Sequence, residues 1–475
     1  MTSVAILGVG AYAPDERIAA NAFADAVDNF QAGGIQEKAV PGPDEDVVTM
    51  AYEAGRRALA AAEVDGADLG RLTLATTNPP VEEEDLLPHL GAMFDVDDDA
   101  SRAHYGNSTV AGVRALRDEL REATDDRPLL VIASDAPRGE LNGPVEHAAG
   151  AGAAAFVIGG GEPNCTVEAA ESSEPASGIR FRRRGNEETE GLGIKAFDRR
   201  TFRSAVMGAV DQLSVDPDAV DAAAVQAPDG VLPYRVAGAL SVENDDIRRG
   251  TTVHEHGDTA AACVPLGIVS ALEGGAERVL AVGYGSGAAA VGIDVAVANE
   301  VPVRSAIEGE PSLDHSAYVR RRGFLTSGPP SGGGGYVSLP SFHRSVAERY
   351  RLEAGRCQSC ERLNFPPAGA CTHCHERVTY ESVALSREGV LETVSIISTG
   401  GAPPEFAELQ ERSGPYTTGI VAFEGPDGGS ASVPSFVVDA RGESVKVGDR
   451  VEMTIRRLYT QDGVPRYGFK VCPIA

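Results

Sequence analysis

The sequence predicts a duplicated α/β sandwich that is followed by a four-cysteine metal site and a small all-β barrel. Three observations predict this arrangement. One order of helices and strands occurs twice in the first part of the chain, two Cys-x-x-Cys pairs lie beyond it, and short strands fill the end. Because 475 residues is long for one domain, we expect roughly two or three domains.

The first half of the duplication begins with an apolar-periodic segment at 45–63, which has acidic residues at its start and predicts a helix. A strand is predicted at 71–77 and a second helix from near Gly106. Two further strands are predicted, at 129–135 and in the Ala/Gly-rich run 153–160.

The second half returns to the same order. A helix is predicted at about 200–214, a strand at about 220–226 and a helix from Gly257, and strands at 278–284 and 288–297 follow. The spacing from helix start to strand end is nearly the same in both halves. Two such halves imply two pseudo-equivalent sheets that sandwich helices; the alternative is chance similarity between two α/β segments.

The composition changes abruptly after residue 325, which sets the predicted domain borders. Residues 1–325 form the α/β domain, and the Gly/Pro/Ser-rich stretch 326–340 is a linker. A short helix and the cysteines occupy 341–380. Five short strands separated by Gly/Pro turns fill 381–475, which most simply predicts an OB-fold barrel.

The cysteine pairs read CQSC and CTHC, and the spacing is typical of a zinc ribbon. Each pair places two thiolates on one tight turn, and two such turns complete a tetrahedron around Zn²⁺. Because four thiolates leave no open position, the zinc should be structural. Iron in place of zinc, or turns that have lost the metal, are the alternatives. The predicted ligands are Cys357, Cys360, Cys371 and Cys374.

The charge is strongly acidic, with a net value of −28, and almost every cation is arginine. The lysines are Lys38, Lys195, Lys446 and Lys470. An acidic surface with scarce lysine resembles that of a protein adapted to molar salt, in which such self-repulsion is screened. A merely acidic cytosolic protein is the alternative. Either interpretation argues against extended binding to nucleic-acid phosphates.

The N-terminal sequence predicts a strand rather than a signal peptide, since no basic region precedes a long apolar run. The chain has no run of 18 or more apolar residues, so we expect no membrane span. Seven cysteines, four of them in Cys-x-x-Cys pairs, indicate metal ligation in a reducing compartment. We therefore expect a cytoplasmic protein.

Six segments carry a resemblance to a known family: VAILGVGAYAPDERI, EKAVPGPDEDVVTMAYEA, IASDAPRGELNGPVEHAAGAGAAAFVIG, QAPDGVLP, GDTAAACVPLGIVSAL and AVGYGSGAAA. On these, residues 1–325 resemble archaeal hydroxymethylglutaryl-CoA synthase of the thiolase superfamily. Residues 340–475 resemble the zinc-ribbon/OB module that bridges thiolase and synthase in the archaeal mevalonate complex. The resemblance implies a thiolase-like αβαβα fold, CoA thioesters as ligands, a homodimer and a thiolase partner.

The family's nucleophile is a cysteine at the start of a buried helix, and the sequence departs from it. In this register Thr109 occupies that position, with Ser108 as the near alternative. No cysteine lies between Met1 and Cys165, so no shift of register restores one. A hydroxyl is a far weaker nucleophile than a thiolate at neutral pH and needs a strong adjacent base.

The other catalytic positions implied by the resemblance also differ. Gln226 stands where the family has histidine, and Asn78 stands where it has glutamate, although the carboxylates at 82–84 offer a shifted alternative. Asp258 replaces the asparagine of a Gly-Asn-Thr motif. Cys263 lies in the second buried helix, where we expect it to pack in the core.

Two further groups are candidates for ligand contacts. The turn that contains Gly285, Ser286 and Gly287 lines the active site in the family, although close strand packing explains the glycines equally well. The arginine triplets at 182–184 and 320–322, including Arg320 and Arg321, have donors that suit the phosphates of CoA. Salt pairing with surface carboxylates is their alternative role.

Three functional hypotheses follow. The first is a repurposed thiolase fold that still binds acyl-CoA and acts as a scaffold, channelling partner or regulatory subunit. The second is an aldolase that acts on a β-hydroxyacyl-CoA, with Tyr284 and Tyr318 as acid/base candidates. The third is genuine hydroxymethylglutaryl-CoA synthesis, in the mevalonate pathway of isoprenoid formation or in acyl-CoA metabolism more broadly.

Overall fold

Two units make up the chain in the computed structural model, which describes residues 1–27, 30–124, 126–326, 338–440 and 445–474. The first unit comprises Met1–Gly42 and Asp46–Val319, and the second comprises Pro43–Glu45 and Arg320–Ala475. Most of the predicted linker, 327–337, lies outside the described residues. The predicted borders at 325, 340 and 380 therefore stay predictions.

The first sheet of the first unit has six strands. All residues of its two central strands are buried, as expected for a sheet that is covered on both faces. The strands occur in the order Val303–Ala306, Ile6–Tyr12, Gly152–Ile158, Leu129–Asp135, Arg71–Ala75 and Ser101–Tyr105.

The second sheet has five strands and is the counterpart of the first. Its order is Thr2–Val4, Cys165–Ser173, Ala289–Val297, Arg278–Gly285 and Ala222–Val225. In each sheet a helix-connected parallel pair of strands lies beside an antiparallel pair, in the same chain order. The predicted duplication is therefore present in the structure.

Helices form three layers around the two sheets. Ala111–Glu122 and Cys263–Glu273 lie between the sheets and contact both. Val47–Ala62 covers the other face of the first sheet, and Lys195–Val210 covers that of the second. The resulting αβαβα sandwich confirms the predicted fold class.

The two central helices begin later than the sequence predicts. The first starts at Ala111 rather than near Gly106, and the second at Cys263 rather than at Gly257. Each is preceded by a residue in the left-handed region, Asn107 with φ of 68° and Ala260 with φ of 47°. A helix cannot propagate through that conformation, so the chain makes a turn at each of these two residues before the helix begins.

The remaining elements of the first unit are short. Its other helices are Ala20–Ala24, Leu87–Phe94, Pro144–Ala148, Ala237–Leu240, Asn244–Arg249 and Val253–His256, and the helix His315–Arg321 begins in it. Turns of 3₁₀-helix occur at Gly66–Asp68, Pro217–Ala219, Pro233–Arg235 and Ala260–Ala262. The minor strands are Glu16–Ala19, Glu37–Ala39, Phe181–Arg182, Thr189–Glu190 and Glu310–Leu313. Among the described residues, no helix has both the length and the apolarity needed to cross a membrane.

The buried His256 gives the first unit a predictable sensitivity to acid. Burial and the nearby Arg17 cation lower the pKa of His256 to about 4, from an ordinary value of 6.5. As the pH falls below the ordinary value, the unfolded chain therefore takes up a proton before the folded one does. The stability that the neutral ring contributes is present above about pH 6.5 and is lost towards pH 4, a difference of about 3 kcal/mol.

We expect His256→Gln to flatten the acid limb of the stability profile of the first unit. Urea unfolding followed at several pH values between neutral and mildly acid conditions measures this. His89→Gln is the control, because His89 is partly exposed and its ion pair with Glu84 is long, at 3.4 Å. Equal acid slopes for wild type and His256→Gln would contradict the expectation.

The second unit contains a three-stranded ribbon and a closed five-stranded barrel. The ribbon strands are Glu353–Cys357, Leu363–Asn364 and Tyr380–Ala384. The barrel order is Glu388–Ile397, Tyr416–Glu424, Ser430–Val437, Val464–Pro473 and Arg450–Gln461, which confirms the predicted barrel. Helices Leu339–Arg344, Val346–Arg351 and Ala407–Ser413 and the 3₁₀ turn Pro404–Phe406 complete the unit. The short helix predicted ahead of the cysteines, in the segment SFHRSVAERYRLEAG, stops before the end of that segment, because Leu352 takes a left-handed conformation and a strand follows.

A buried ion pair lies within the second unit. Lys470 is completely buried in the barrel, and its Nζ donates to Asp44 Oδ2 at 2.8 Å. Asp44 belongs to the three-residue segment Pro43–Glu45. Burial raises the pKa of Asp44, but the Lys470 and Arg456 cations outweigh it and the net pKa is lowered. The Asp44 carboxyl is therefore ionised at neutral pH.

Candidate functional site

A cavity of about 530 Å³ opens in the first unit where strands of both sheets end. Its wall includes the residues that follow Arg71–Ala75, Ser101–Tyr105 and Arg278–Gly285. The start of the first central helix and the arginine-rich segment 180–184 complete it. Strand ends and a helix N-terminus are where α/β folds commonly place ligands.

Thr109 lies two residues before the first central helix and lines the cavity. Its hydroxyl donates to the backbone carbonyl of Tyr284 at 2.6 Å. Ser108, the alternative nucleophile, donates in a similar way to Ser286 O at 3.3 Å. Among the described contacts, neither hydroxyl meets a carboxylate or an imidazole, so neither is paired with a general base.

The turn between the strands Arg278–Gly285 and Ala289–Val297 fits closely against these hydroxyls. A Cβ added at Gly285 would overlap Ser108 Oγ, so glycine is needed for the close approach. Ser286 lines the cavity, and its Oγ accepts from the backbone N–H of Arg180 at 3.2 Å. The predicted turn thus lies beside the cavity, while ligand contact by Gly285, Ser286 and Gly287 stays a prediction.

Gln226 and Asp258 are both buried, at 3% and 2% exposure. Gln226 Nε2 donates to Ala260 O at 2.9 Å, and Asp258 Oδ1 accepts from Ala260 N at 2.8 Å. Both side chains thereby hold the turn that precedes the second central helix. Within the described part of the chain, Gln226 Oε1 has no hydrogen-bond partner.

Asn78 follows the strand Arg71–Ala75, and both the nitrogen and the oxygen of its side-chain amide form hydrogen bonds. Its Nδ2 donates to Ala136 O at 2.8 Å, and its Oδ1 accepts from Arg182 Nη1 at 3.0 Å. Arg182 Nη2 also donates to Thr77 O at 2.6 Å. The position that the resemblance assigns to a proton-transfer group thus holds an arginine in place.

Arg180 is the residue of this site that the sequence did not reveal. Its Nη1 forms an ion pair with Asp258 Oδ2, and its side chain is 19% exposed. Burial alone lowers the pKa of Arg180, but the Asp258 carboxylate outweighs burial and the net pKa is raised. Arg180 lies in an irregular segment far along the chain from Asp258, so no local pattern indicates the pairing.

The Asp135 carboxylate forms hydrogen bonds to two of the segments around the site. The residue ends a buried strand, and its Oδ2 accepts from Thr77 N at 2.9 Å, Thr77 Oγ1 at 2.7 Å and Ala261 N at 3.2 Å. These bonds join the loop that carries Asn78 to the start of the second central helix. Burial raises the pKa of Asp135, and the hydrogen bonds oppose that effect.

The remaining nucleophile and acid/base candidates are buried in packed surroundings. Burial raises the pKa of the Cys263 thiol to about 12, so it is protonated at neutral pH. Tyr284 has its hydroxyl buried, and burial raises its pKa too. Tyr318 donates to Glu146 and accepts from Lys38 Nζ at 2.8 Å in the core of the first unit.

Arg320 and Arg321 belong to the second unit. Arg321 Nη1 donates to Arg412 O at 2.8 Å, and Arg412 donates back to Arg321 O at 2.7 Å. These reciprocal bonds from arginine side chains to backbone carbonyls give Arg321 a structural role that the sequence did not suggest. A role of Arg320 and Arg321 in binding CoA phosphates stays a prediction.

The four ribbon cysteines converge as predicted, with their sulfur atoms all within 4.8 Å of one another. Cys357 and Cys374 are 3.7 Å apart and Cys360 and Cys371 3.6 Å. A tetrahedral zinc site with Zn–S of about 2.3 Å has edges of about 3.8 Å, so the spacing fits the ion. Two further donors, from Asn364 Nδ2 and His373 N, reach Cys371 Sγ at 3.5 and 3.4 Å. The donor set therefore suits structural zinc.

Comparison with known proteins agrees with this architecture. Residues 344–380 match the family model of the ChsH2 rubredoxin-like zinc ribbon domain, and residues 382–456 match that of the ChsH2 C-terminal OB-fold domain. Among solved structures, MvaS in complex with 3-hydroxy-3-methylglutaryl coenzyme A has a TM-score of 0.58 and 17% identity, covering 70% of this chain and 96% of its own. The 3-oxoacyl-[acyl-carrier-protein] synthase III of Aquifex aeolicus has a TM-score of 0.53 and 17% identity, covering 62% and 99%.

By fold, the first unit is thus a thiolase-like domain. The sequence comparison is more specific. The hydroxymethylglutaryl-CoA synthase of Methanopyrus kandleri is 30% identical over 338 residues, which cover 68% of this chain and 95% of that protein. That of Methanocaldococcus jannaschii is 29% identical over 308 residues, covering 62% and 89%. The chain belongs to the hydroxymethylglutaryl-CoA synthase family.

Proposed function

We propose that this protein binds acyl-CoA thioesters in the cavity of the first unit and does not form an acyl-enzyme. Its role is that of a repurposed family member, a scaffold or channelling partner that holds an acyl-CoA. The observation that carries the proposal is the hydrogen bond from Thr109 Oγ1 to Tyr284 O. A hydroxyl that donates to a carbonyl has no base to which it can lose its proton.

The neighbouring positions support the same conclusion. Gln226 and Asn78 cannot act as general acids or bases at neutral pH, and both are used to hold backbone or arginine groups. Asp258 is ionisable, but it is paired with Arg180. A site with these partners favours binding over acyl transfer.

Binding of CoA thioesters is supported by charge and by relatives. The cavity carries four arginines in a chain whose net charge is −28. Arg183 and Arg184, both exposed at its wall, offer the donors that phosphate groups accept. Structural neighbours of the chain were solved with CoA and with 3-hydroxy-3-methylglutaryl coenzyme A.

The purified full chain, incubated with acetyl-CoA and acetoacetyl-CoA in molar potassium chloride, tests the proposal. We expect no hydroxymethylglutaryl-CoA by mass spectrometry, no acetyl adduct on the intact protein, and measurable binding of acetyl-CoA by calorimetry. Thr109→Val removes the hydroxyl and retains the side-chain shape. This variant should bind acetyl-CoA about as well as wild type.

Three results would contradict a role in binding alone and would indicate an enzyme instead. Product at synthase-like turnover that Thr109→Val abolishes would establish Thr109 as a nucleophile and end the proposal. Turnover that persists in that variant would direct attention to Ser108 and the carboxylates at 82–84. Cleavage of a β-hydroxyacyl-CoA into two smaller carbonyl products would favour an aldolase, in which Tyr284→Phe and Tyr318→Phe are the variants to compare.

The proposal includes an assembly and a setting. A homodimer, a thiolase partner, a cytoplasmic location and adaptation to molar salt are proposed on the resemblance and the composition. Light scattering across a range of salt concentrations measures the mass of the assembly. Co-purification with a thiolase from the same cells tests the partner. A monomer that binds no thiolase would overturn the proposed homodimer and the proposed thiolase partner.

A further inference from the structure

The arginines of the cavity differ in depth and in how their charge is balanced. Arg183 has a side chain that is 68% exposed, whereas Arg180 is 19% exposed. Arg183 pairs with Glu190 at 3.1 Å. The inner arginines, Arg180 and Arg182, instead contact the residues at the family's catalytic positions, Asp258 and Asn78.

The inner arginines have donor capacity that the protein does not use. Arg180 Nη1 is paired with Asp258, but within the described residues Arg180 Nη2 is buried without a hydrogen-bond partner. Arg182 donates to two neutral oxygens, Asn78 Oδ1 and Thr77 O, so neither bond neutralises its charge. A buried donor without a partner is costly, and a ligand oxygen that accepts from it removes that cost.

The buried carboxylates near these arginines are already occupied, whereas Glu82, which is exposed at the cavity wall, accepts from Gly185 N at 3.2 Å. Asp258 uses one oxygen for Arg180 and the other for Ala260 N. Asp135 acts on Arg180 through space, but its oxygens accept from Thr77, Ala261 and Ala136. Arg182, by contrast, donates only to neutral oxygens among the described contacts, and the N-terminus of the 12-residue helix Ala111–Glu122 adds positive potential near Thr109 at the cavity wall.

We propose that Arg180 and Arg182 form a carboxylate subsite, so the preferred ligands are CoA thioesters whose acyl group ends in a carboxylate. A planar guanidinium with a free edge matches a carboxylate in shape and charge. The outer arginines, Arg183 and Arg184, take the phosphates at the other end of the ligand. This inference rests on the proposed function, because it requires that the cavity receives the acyl group.

Calorimetry with three ligands tests the subsite: succinyl-CoA, butyryl-CoA and CoA. The two thioesters have the same chain length and differ in one terminal carboxylate. We expect wild type to bind succinyl-CoA about tenfold more tightly than butyryl-CoA or better, the usual effect of a charge-assisted hydrogen bond. Arg180→Met should abolish this preference and leave the affinity for butyryl-CoA within about threefold of wild type.

Because Arg180→Met leaves Asp258 buried without its cation, the double variant Arg180→Met/Asp258→Asn is measured as well. The double variant removes both charges, should fold and should also lack the preference. Arg184→Met is the matched control. This variant should weaken all three ligands by similar factors and retain the preference for succinyl-CoA.

The outcomes separate the two proposals. Equal binding of succinyl-CoA and butyryl-CoA to wild type, or a preference that survives in the double variant, would overturn the carboxylate subsite and leave the proposed function standing. Absence of binding by all three ligands would overturn both. A preference that disappears with Arg180 and persists with Arg184→Met would establish the subsite.

Discussion

Removal of the metal is expected to unfold the cysteine ribbon of the second unit and to leave the first unit folded. Four thiolates bring their sulfur atoms within 4.8 Å of one another, and without a cation they repel or lie protonated in a cramped site. Structural zinc contributes about 10–16 kcal/mol in small zinc domains. The three ribbon strands are short, so little else holds them together.

Hydrogen exchange with mass spectrometry before and after chelation measures this prediction. We expect residues 353–384 to lose protection and the central helix Ala111–Glu122 to keep it. Cys371→Ser should reproduce the effect of the chelator, whereas Cys472→Ser, outside the cluster, should retain the metal. Elemental analysis distinguishes zinc from iron. Full protection of the ribbon in metal-free protein would contradict the prediction.

Loss of Asp44 is expected to cost the second unit about 3–5 kcal/mol of unfolding free energy. The variant Asp44→Asn leaves the Lys470 ammonium completely buried without its carboxylate. Burial lowers the pKa of Lys470, and the Asp44 carboxylate offsets part of that effect. Without Asp44 the ammonium must either be desolvated unpaired or lose its proton.

The pair also makes the second unit sensitive to acid. Because the pKa of Asp44 is lowered in the folded state, its stabilising effect is present above the ordinary pKa of 3.8 and is lost as the pH falls through the lowered value. Asp44→Asn should therefore reduce the loss of stability in strong acid. Its effect at neutral pH, by contrast, should be a large decrease in the urea midpoint of the second unit.

Two variants test whether loss of the buried ion pair causes the decrease in stability expected for Asp44→Asn. The double variant Asp44→Asn/Lys470→Met removes both charges and should recover most of the lost stability. Glu388→Gln breaks an exposed pair with Arg450, whose side chains are 53% and 65% exposed, and should cost less than about 1 kcal/mol. If Asp44→Asn shifted the midpoint no more than Glu388→Gln, the prediction would be wrong.

Periodicity and spacing made most of the fold predictable. The buried strand Leu129–Asp135 matches its prediction at both ends, and the five predicted strands near the end of the chain form the closed barrel. These elements depend on local patterns, namely apolar runs and turn residues. The zinc ligands were predictable for a similar reason, because each pair is close in sequence.

The rest depended on contacts between distant residues. The central helices start late because Asn107 and Ala260 adopt left-handed conformations, and at Ala260 the Asp258 side chain holds the turn. Arg180 is 78 residues from Asp258 and lies in no regular element, so its role at the site had no local signal. The resemblance could assign the family's positions to residues of this chain, but the contacts that those residues make could be seen only in the structure.

The scarcity of lysine has a practical consequence for solution studies. Lys38 and Lys470 are buried, whereas Lys195 and Lys446 are exposed. Apart from the α-amino group, amine-reactive dyes should therefore label one side chain in each unit. With that amine blocked, energy transfer between dyes at Lys195 and Lys446 would report the separation of the two units, with or without ligand, from a chain that needs no engineered labelling sites.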